Sequence, residues 1–213
     1  MKRARIILAD DHTLMLEGIR SILAPHYDIV AEVSDGRALL EAAIRLRPDL
    51  IVLDVTMPLL NGIDAAIQIR KTVPGVKLLF VTMHANPAYL EAALNAGGTG
   101  YVLKSAAGED LLAAVQSVLE GRMYVTGGLS GSMPINSIET ATDPALAAAS
   151  LRLSVREREI LQLIAEGRSS KDMAFLLNIS AKTVAFHRDN IKRKLGLRST
   201  AELTRHAIEE RLI

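Results

Sequence analysis

The chain has 213 residues, 49% of them hydrophobic and only 3% aromatic, with no cysteine and a formal net charge of +1 at pH 7. That length holds one large domain or two small ones with aliphatic cores, and the missing cysteine excludes disulfides, thiolate zinc sites and cysteine catalysis. The charge is uneven: residues 1–150 carry 12 Lys/Arg against 16 Asp/Glu, a net of −4, whereas residues 151–213 carry 13 against 8, a net of +5, which hints at a nucleic-acid partner for the tail.

The first five residues, Met1-Lys2-Arg3-Ala4-Arg5, are basic, but only Ile6-Ile7-Leu8-Ala9 separates them from Asp10. Four apolar residues are too few for a signal-peptide core or a membrane span. A cytoplasmic protein without a membrane partner is the expectation.

From residue 4 to about 120, short apolar runs at 6–9, 29–33, 50–53, 78–81 and 101–103 alternate with amphipathic stretches near 13–24, 36–46, 60–72, 87–96 and 109–120. Five such units in series predict an α/β fold, a parallel sheet with helices on both faces. Residues 121–150 change character: Gly127-Gly128, Gly131, Pro134 and Pro144 punctuate a polar stretch, with 145–149 as a short helix, and the segment reads as a linker.

After 151 the pattern is helical. Ser154-x-x-Glu157 is a capping box and Gly167 a stop; Ser169-x-x-Asp172 is a second, weaker cap; Ser180 caps a helix that Gly196 ends; Ser199-x-x-Glu202 opens a fourth. Residues 171–177, a tight turn at Asn178-Ile179-Ser180 and residues 181–195 together form a helix-turn-helix. Its second helix is the one expected in a major groove. Val184, Ile191 and Leu195 share one face of that helix and are assigned to the core.

Three acidic side chains carry the chemistry. Asp10 and Asp11 end the first apolar run and Asp54 ends the third, so adjacent parallel strands would bring all three to the carboxyl edge of the sheet, where open α/β folds place their sites. Clustered carboxylates repel unless a cation sits among them. Oxygen ligands of this kind suit Mg²⁺, and a carboxylate beside Mg²⁺ can attack phosphorus. The residues therefore suggest a phosphoryl-accepting switch.

Asp10-Asp11, Asp54-x-x-Met57-Pro58-x-x-x-Gly62, Val81-Thr82 and Tyr101-Val102-Leu103-Lys104 together resemble the receiver domain of bacterial response regulators over residues 4–120. The resemblance implies a flavodoxin-like (βα)5 doubly wound domain with Asp54 as phosphoacceptor. It implies Mg²⁺ held by Asp11, Asp54 and the backbone carbonyl of Thr56, with Asp10 acting through water. Lys104 and Thr82 would contact the phosphoryl oxygens, and Tyr101 would be the switch aromatic. Thr56 and His84 would border the pocket. Ser105 stands where many receivers have proline.

In the tail, Leu153-Ser154-Val155-Arg156-Glu157-Arg158-Glu159-Ile160-Leu161, Ile164-Ala165-Glu166-Gly167, Ile179-Ser180-Ala181-Lys182-Thr183-Val184-Ala185-Phe186-His187 and Ile191-Lys192-Arg193-Lys194-Leu195-Gly196 are similar to the LuxR-type helix-turn-helix. The two resemblances place the chain with the NarL/FixJ response regulators: a receiver at 1–120, a linker at 121–150 and a four-helix DNA-binding domain at 151–213. A sensor histidine kinase, double-stranded DNA and a second copy of the chain, as a homodimer in the active state, are the partners implied. On the exposed half of the second helix, Lys182, Thr183, Phe186, His187, Arg188 and Asn190 are candidates for base or phosphate contact, and Lys192, Arg193 and Lys194 for phosphate contact. Phe186 reads equally as a partly exposed core residue or a thymine-methyl contact, and His187 as a cap or phosphate contact rather than a metal ligand. Ala185 stands where many relatives carry lysine, and Asp189 where some carry another basic residue. The last helix, near 200–211, presents Leu203, Ala207 and Ile208, either to a second copy or to its own domain.

A stand-alone phosphatase would want a second acid two residues beyond its nucleophile, where Thr56 stands. A dinucleotide enzyme would want a glycine-rich turn in place of Asp10-Asp11-His12-Thr13. A protein-binding adaptor is a third class, which salt-dependent DNA binding would separate from a regulator. The chain is therefore read as a transcriptional regulator, not an enzyme.

Overall fold

Each apolar run in the first half becomes a strand, and the central ones are covered on both sides. The computed structural model describes residues 3–126 and 153–209, and the chain divides into two compact units. In the first unit the order is β1 (Arg5–Ala9), α1 (Thr13–Leu23), β2 (Asp28–Val33), α2 (Gly36–Leu46), β3 (Leu50–Leu53), α3 (Gly62–Thr72), β4 (Lys77–Thr82), α4 (Pro87–Asn95), β5 (Gly100–Leu103), one 3₁₀ turn (Lys104–Ala106), α5 (Ala107–Leu119) and β6 (Tyr124–Val125). All strand pairs are parallel, in the order β2-β1-β3-β4-β5-β6.

Alternation along the strands builds two cores. Ile7, Ala9, Ile51, Leu53, Leu78, Phe80 and Tyr101 point to the face covered by α2, α3 and α4, through residues such as Leu39, Ala66, Ile69 and Leu90. Ile6, Leu8, Leu50, Val52, Leu79, Val81 and Val102 point to the other, under Leu16, Ile19 and Leu23 of α1 and Leu111, Val115 and Val118 of α5. β1, β3 and β4 are buried almost throughout because helices lie on both sides, which is why they read as continuous apolar runs.

One expectation is revised. Residues 121–126 fall within the stretch read as linker, yet Tyr124 and Val125 form a sixth strand, registered Gly100↔Tyr124 and Tyr101↔Val125. Thr126 completes it: its N–H donates to the Tyr101 carbonyl at 3.0 Å, and its hydroxyl accepts from the Leu103 N–H at 3.1 Å. The rest of the linker, including the helix expected at 145–149, lies outside the described residues.

The second unit is all helix: α6 (Val155–Ala165), α7 (Ser170–Leu176), α8 (Ala181–Leu195) and α9 (Thr200–Glu209). The caps explain the boundaries. Ser154 with Glu157 and Ser169 with Asp172 both form complete capping boxes. Ser180 accepts from the Thr183 N–H at 3.0 Å, and Gly196, at φ +70°, ends α8 in the left-handed region. At the start of α9, Ser199 accepts from the Glu202 N–H, but the Glu202 carboxylate reaches back to the Arg198 N–H, one residue earlier than a capping box requires. Asn178 takes φ +50° in the turn between α7 and α8, a conformation asparagine tolerates better than most residues.

Val184 and Ile191 of α8 are fully buried, as expected, while Leu195 is half-buried. Leu203 and Ala207 of α9 are also fully buried, in a helix that packs on α6, and only Ile208 of the trio is exposed. Those two residues therefore serve their own unit's core. Among the described residues, no helix is long and apolar enough to cross a membrane.

Candidate functional site

Register places the acids. Ala9 is paired with Leu53 across β1 and β3, so the next residues, Asp10 and Asp54, emerge side by side, and the Asp54 N–H is tied to the Ala9 carbonyl at 2.9 Å. This is the point where strand order reverses around β1, the position that open α/β sheets use for their sites. Thr82 is paired with Leu103, so Thr82 and Lys104 arrive at the same edge from β4 and β5.

Lys104 closes the cluster. Its ammonium lies 2.7 Å from Asp10 Oδ2 and 2.7 Å from Asp54 Oδ2. All three side chains are almost wholly buried. Burial alone would lower the Lys104 pKa, but hydrogen bonds and the charges of Asp10 and Asp54 outweigh it, so the net shift is upward. The other Asp54 oxygen, Oδ1, accepts from the Val55 N–H at 2.6 Å.

Asp11 is more exposed and faces His12, whose Nδ1 is 2.8 Å from Asp11 Oδ1 and 3.2 Å from Asp10 Oδ1. Ligand atoms from Asp10, Asp11, His12 and Asp54 lie within 4.8 Å of one another. Three carboxylates against one ammonium leave two negative charges uncompensated, and an oxygen-rich, net-negative cluster is the donor set a hard divalent cation such as Mg²⁺ takes. The residues present fit that ion.

Behind the acids lies a hydrogen-bonded group centred on His84. Its Nε2 is 2.9 Å from the Thr56 hydroxyl, its N–H points at the Thr82 hydroxyl at 3.4 Å, and its carbonyl accepts from the Tyr101 hydroxyl at 2.8 Å. The His84 ring stacks on Tyr89 of α4, with centroids 4.2 Å apart and planes 14° from parallel. Tyr101 is fully buried, turned inward, with its pKa raised by burial first and then by Asp54 and Tyr89. Tyr89 was not marked by the sequence, because a tyrosine one turn into a helix has no signature until its stacking partner is known.

The loop after Asp54 is fixed by a close approach. A Cβ at Gly62 would land on the Asp54 carbonyl oxygen, so the motif's glycine lets the start of α3 close over the segment that carries Thr56.

In the second unit, the nine residues proposed for DNA have different surroundings. Lys182 is exposed and Phe186 is 62% exposed. The Thr183 hydroxyl lies 2.8 Å from the Ser180 hydroxyl, within the cap of α8. His187 is half-buried, its Nδ1 enclosed without a partner. Lys192 pairs with Asp189 at 3.0 Å, and Arg193 donates to Asn190 at 2.7 Å, both near the surface. Two others are committed inside the unit. Arg188 donates to Ser170 at 2.9 Å and Thr200 at 2.7 Å, joining the starts of α7 and α9 to α8. Lys194 pairs at 2.6 Å with the buried Glu157. Phe175, 87% exposed on α7, is an apolar side chain that the sequence reading did not single out; it lies off the core-facing side marked by Met173 and Leu177.

Two family models match this chain: the response regulator receiver domain over residues 6–116 and the bacterial regulatory proteins of the luxR family over residues 151–207. The chain belongs to the two-component response regulators with a LuxR-type DNA-binding domain. It is similar to the oxygen regulatory protein NreC of Staphylococcus epidermidis, at 35% identity over 98% of this chain and 99% of that one. It is also similar to the transcriptional regulatory protein MctR of Rhizobium johnstonii, at 31% identity over 99% and 96%. Among solved structures, the RcsB response regulator of Salmonella typhimurium matches with a TM-score of 0.63 at 29% identity, over 99% of each chain. A structure of two RcsB dimers bound to two parallel DNAs matches with a TM-score of 0.57 at 30% identity, over 96% of this chain and 97% of that one.

Proposed function

We propose that Asp54 of this response regulator accepts a phosphoryl group from a sensor histidine kinase, in a Mg²⁺-dependent step, and that its modification controls sequence-specific binding of double-stranded DNA and hence transcription. The observation that carries the proposal is Lys104, held 2.7 Å from both Asp10 and Asp54 in a cluster of three carboxylates that keeps a net negative charge.

An Asp54 carboxylate oxygen attacks phosphorus as the donor's P–N bond breaks. The imidazole leaves with the electron pair and takes up a proton. Asp11, Asp54 and the Thr56 carbonyl would hold the Mg²⁺, with Asp10 acting through water, and the ion's charge supplies electrostatic relief to the crowded oxygens. Lys104 is released from its pairing with the carboxylates and takes a phosphoryl oxygen. The Thr82 hydroxyl donates to another, giving up the weak 3.4 Å contact from the His84 N–H. That exchange reaches Tyr101, because the Tyr101 hydroxyl is bonded to the carbonyl of the same His84. The added charge of about −1.5 to −2 drives the rearrangement.

The active form is read as a cytoplasmic homodimer in which the receiver, extended from residue 120 to 126 by β6, switches, the remainder of 121–150 connects and 151–213 bind DNA. Lys182, Thr183, Phe186, His187 and Asn190 face bases or backbone, and Lys192 and Arg193 face phosphates. The bonds made by Arg188 and Lys194 inside the unit favour a supporting role for those two.

The test is intact mass after incubation with Mg²⁺ and acetyl phosphate, beside Asp54→Ala. One phosphoryl adduct confined to wild type, with tighter operator binding by that form, is the expected result. No adduct on wild type, with a control receiver phosphorylated in parallel, would reduce the protein to a DNA-binding regulator with a receiver-like fold.

A further inference from the structure

At the opposite end of the same strands, a second concavity of about 780 Å³ opens between the start of β1, the α2–β3 loop and the α3–β4 loop. It is a shallow depression open to solvent rather than an enclosed cavity, so a ligand there would be held by the chemistry of its lining. Its polar half is cationic: Arg3, Arg5, Arg47 and Lys77 line it, against the single carboxylate of Asp49. A lining charge of +3 therefore sits within residues 1–150, whose net charge is −4.

Arg5 is locked: its guanidinium donates to the Leu46 carbonyl at 2.6 Å and the Arg47 carbonyl at 3.3 Å, and its backbone N–H donates to Asp49 at 2.7 Å. Those bonds fix Arg47 in a left-handed turn, at φ +46°. Among the described residues, the side chains of Arg3, Arg47 and Lys77 have no acidic partner, as is also the case for Arg45, Arg70 and Lys71 of the same unit, whereas Arg20 and Arg122 are each paired with a glutamate. The remaining wall is apolar, from Pro48, Pro74, Val76 and Leu119.

We infer that this pocket binds a nucleoside polyphosphate. Its phosphates would meet Arg3, Arg47 and Lys77, and its base would lie on the proline and aliphatic wall. An inorganic anion would use only the cationic half, and an apolar ligand only the other. The pair of surfaces fits a ligand with both characters. The inference is independent of phosphoryl transfer to Asp54, which lies past the far ends of β1 and β3.

The experiment is calorimetric titration of the full chain with ATP, and separately with inorganic pyrophosphate, in EDTA and about 50 mM salt, a concentration at which surface attractions are only moderately screened. Backbone amide NMR shifts localise the binding. The comparison variant is Arg47→Gln/Lys77→Gln, whose fold is checked by circular dichroism. One ATP site is expected, weakened at least tenfold in the variant, with shifts confined to the amides of residues 3–5, 47, 49 and 75–77 and with pyrophosphate binding more weakly than ATP. No binding at millimolar ATP, equal affinity in the variant, or shifts confined to the second unit would overturn the assignment. Pyrophosphate binding as tightly as ATP would overturn the nucleoside part of it.

Discussion

Removing the Lys104 ammonium should turn the acidic pocket from a partly neutralised cluster into one that depends wholly on an added cation. In Lys104→Met the volume is nearly kept, but Asp10 and Asp54, exposed by only 1% and 5%, lose their shared partner. At an effective dielectric of about 20, a unit pair at the observed 2.7 Å is worth about 6 kcal/mol before desolvation is subtracted. Desolvation of the three groups consumes much of that, and breaking a buried pair from one side costs about 3–5 kcal/mol. With a urea m-value near 2 kcal/mol per molar, the first unit's midpoint should fall by about 1.5–2.5 M in EDTA at pH 7.5. Millimolar Mg²⁺ should raise the variant's midpoint more than the wild type's, because binding to the native state adds stability and the ammonium no longer competes. An unchanged midpoint in EDTA, or an equal Mg²⁺ response in the two proteins, would refute the view that Lys104 is the resident counter-charge.

The tail offers a contrast between two lysines of one helix. Lys182→Ala should leave stability within about 0.5 kcal/mol while weakening DNA binding and reducing the slope of log affinity against log salt by about 0.9. Lys194→Ala, which strands the buried Glu157, should instead destabilise the second unit by about 1–3 kcal/mol, read by amide exchange of α6 and α8. The same pair sets an acid dependence. Burial raises the Glu157 pKa, but its bonds to Lys194 and Ser154 outweigh that and hold it below the ordinary value. A depressed carboxylate contributes stability that is complete above its unfolded pKa of about 4.3 and is lost as pH falls through the lower folded value. Protection of α6 should therefore decline from about pH 4.3 downward, and Glu157→Gln should flatten that decline; identical profiles would refute the assignment.

What the sequence made legible is what depends on short range. Ile6-Ile7-Leu8-Ala9 and Leu50-Ile51-Val52-Leu53 are buried on both faces and need no neighbour to be read as strands, and the acids that follow them inherit their place from that reading. Ser154, Ser169 and Ser180 cap helices through bonds three residues away. Arg188 could not be read this way, since its partners are 18 and 12 residues distant, nor could Lys194, 37 residues from Glu157. A basic residue on a recognition helix suggests DNA until its carboxylate or hydroxyl is located. Leu203 and Ala207 show the same limit: an apolar stripe is visible in sequence, but the surface that covers it is not.

The two-residue β6 has a consequence for solubility. Without it, β5 would be the outer strand of the sheet, offering the Thr99 and Tyr101 carbonyls and the Leu103 N–H, now taken up by Tyr124 and Thr126, to any passing chain. Unpaired edges of this kind template intermolecular strand addition, and a very short outer strand is one of the ways proteins blunt them. A fragment cut at residue 120 would bare that edge beside Tyr101 and self-associate, whereas one cut after Thr126 would stay monomeric at the same concentration.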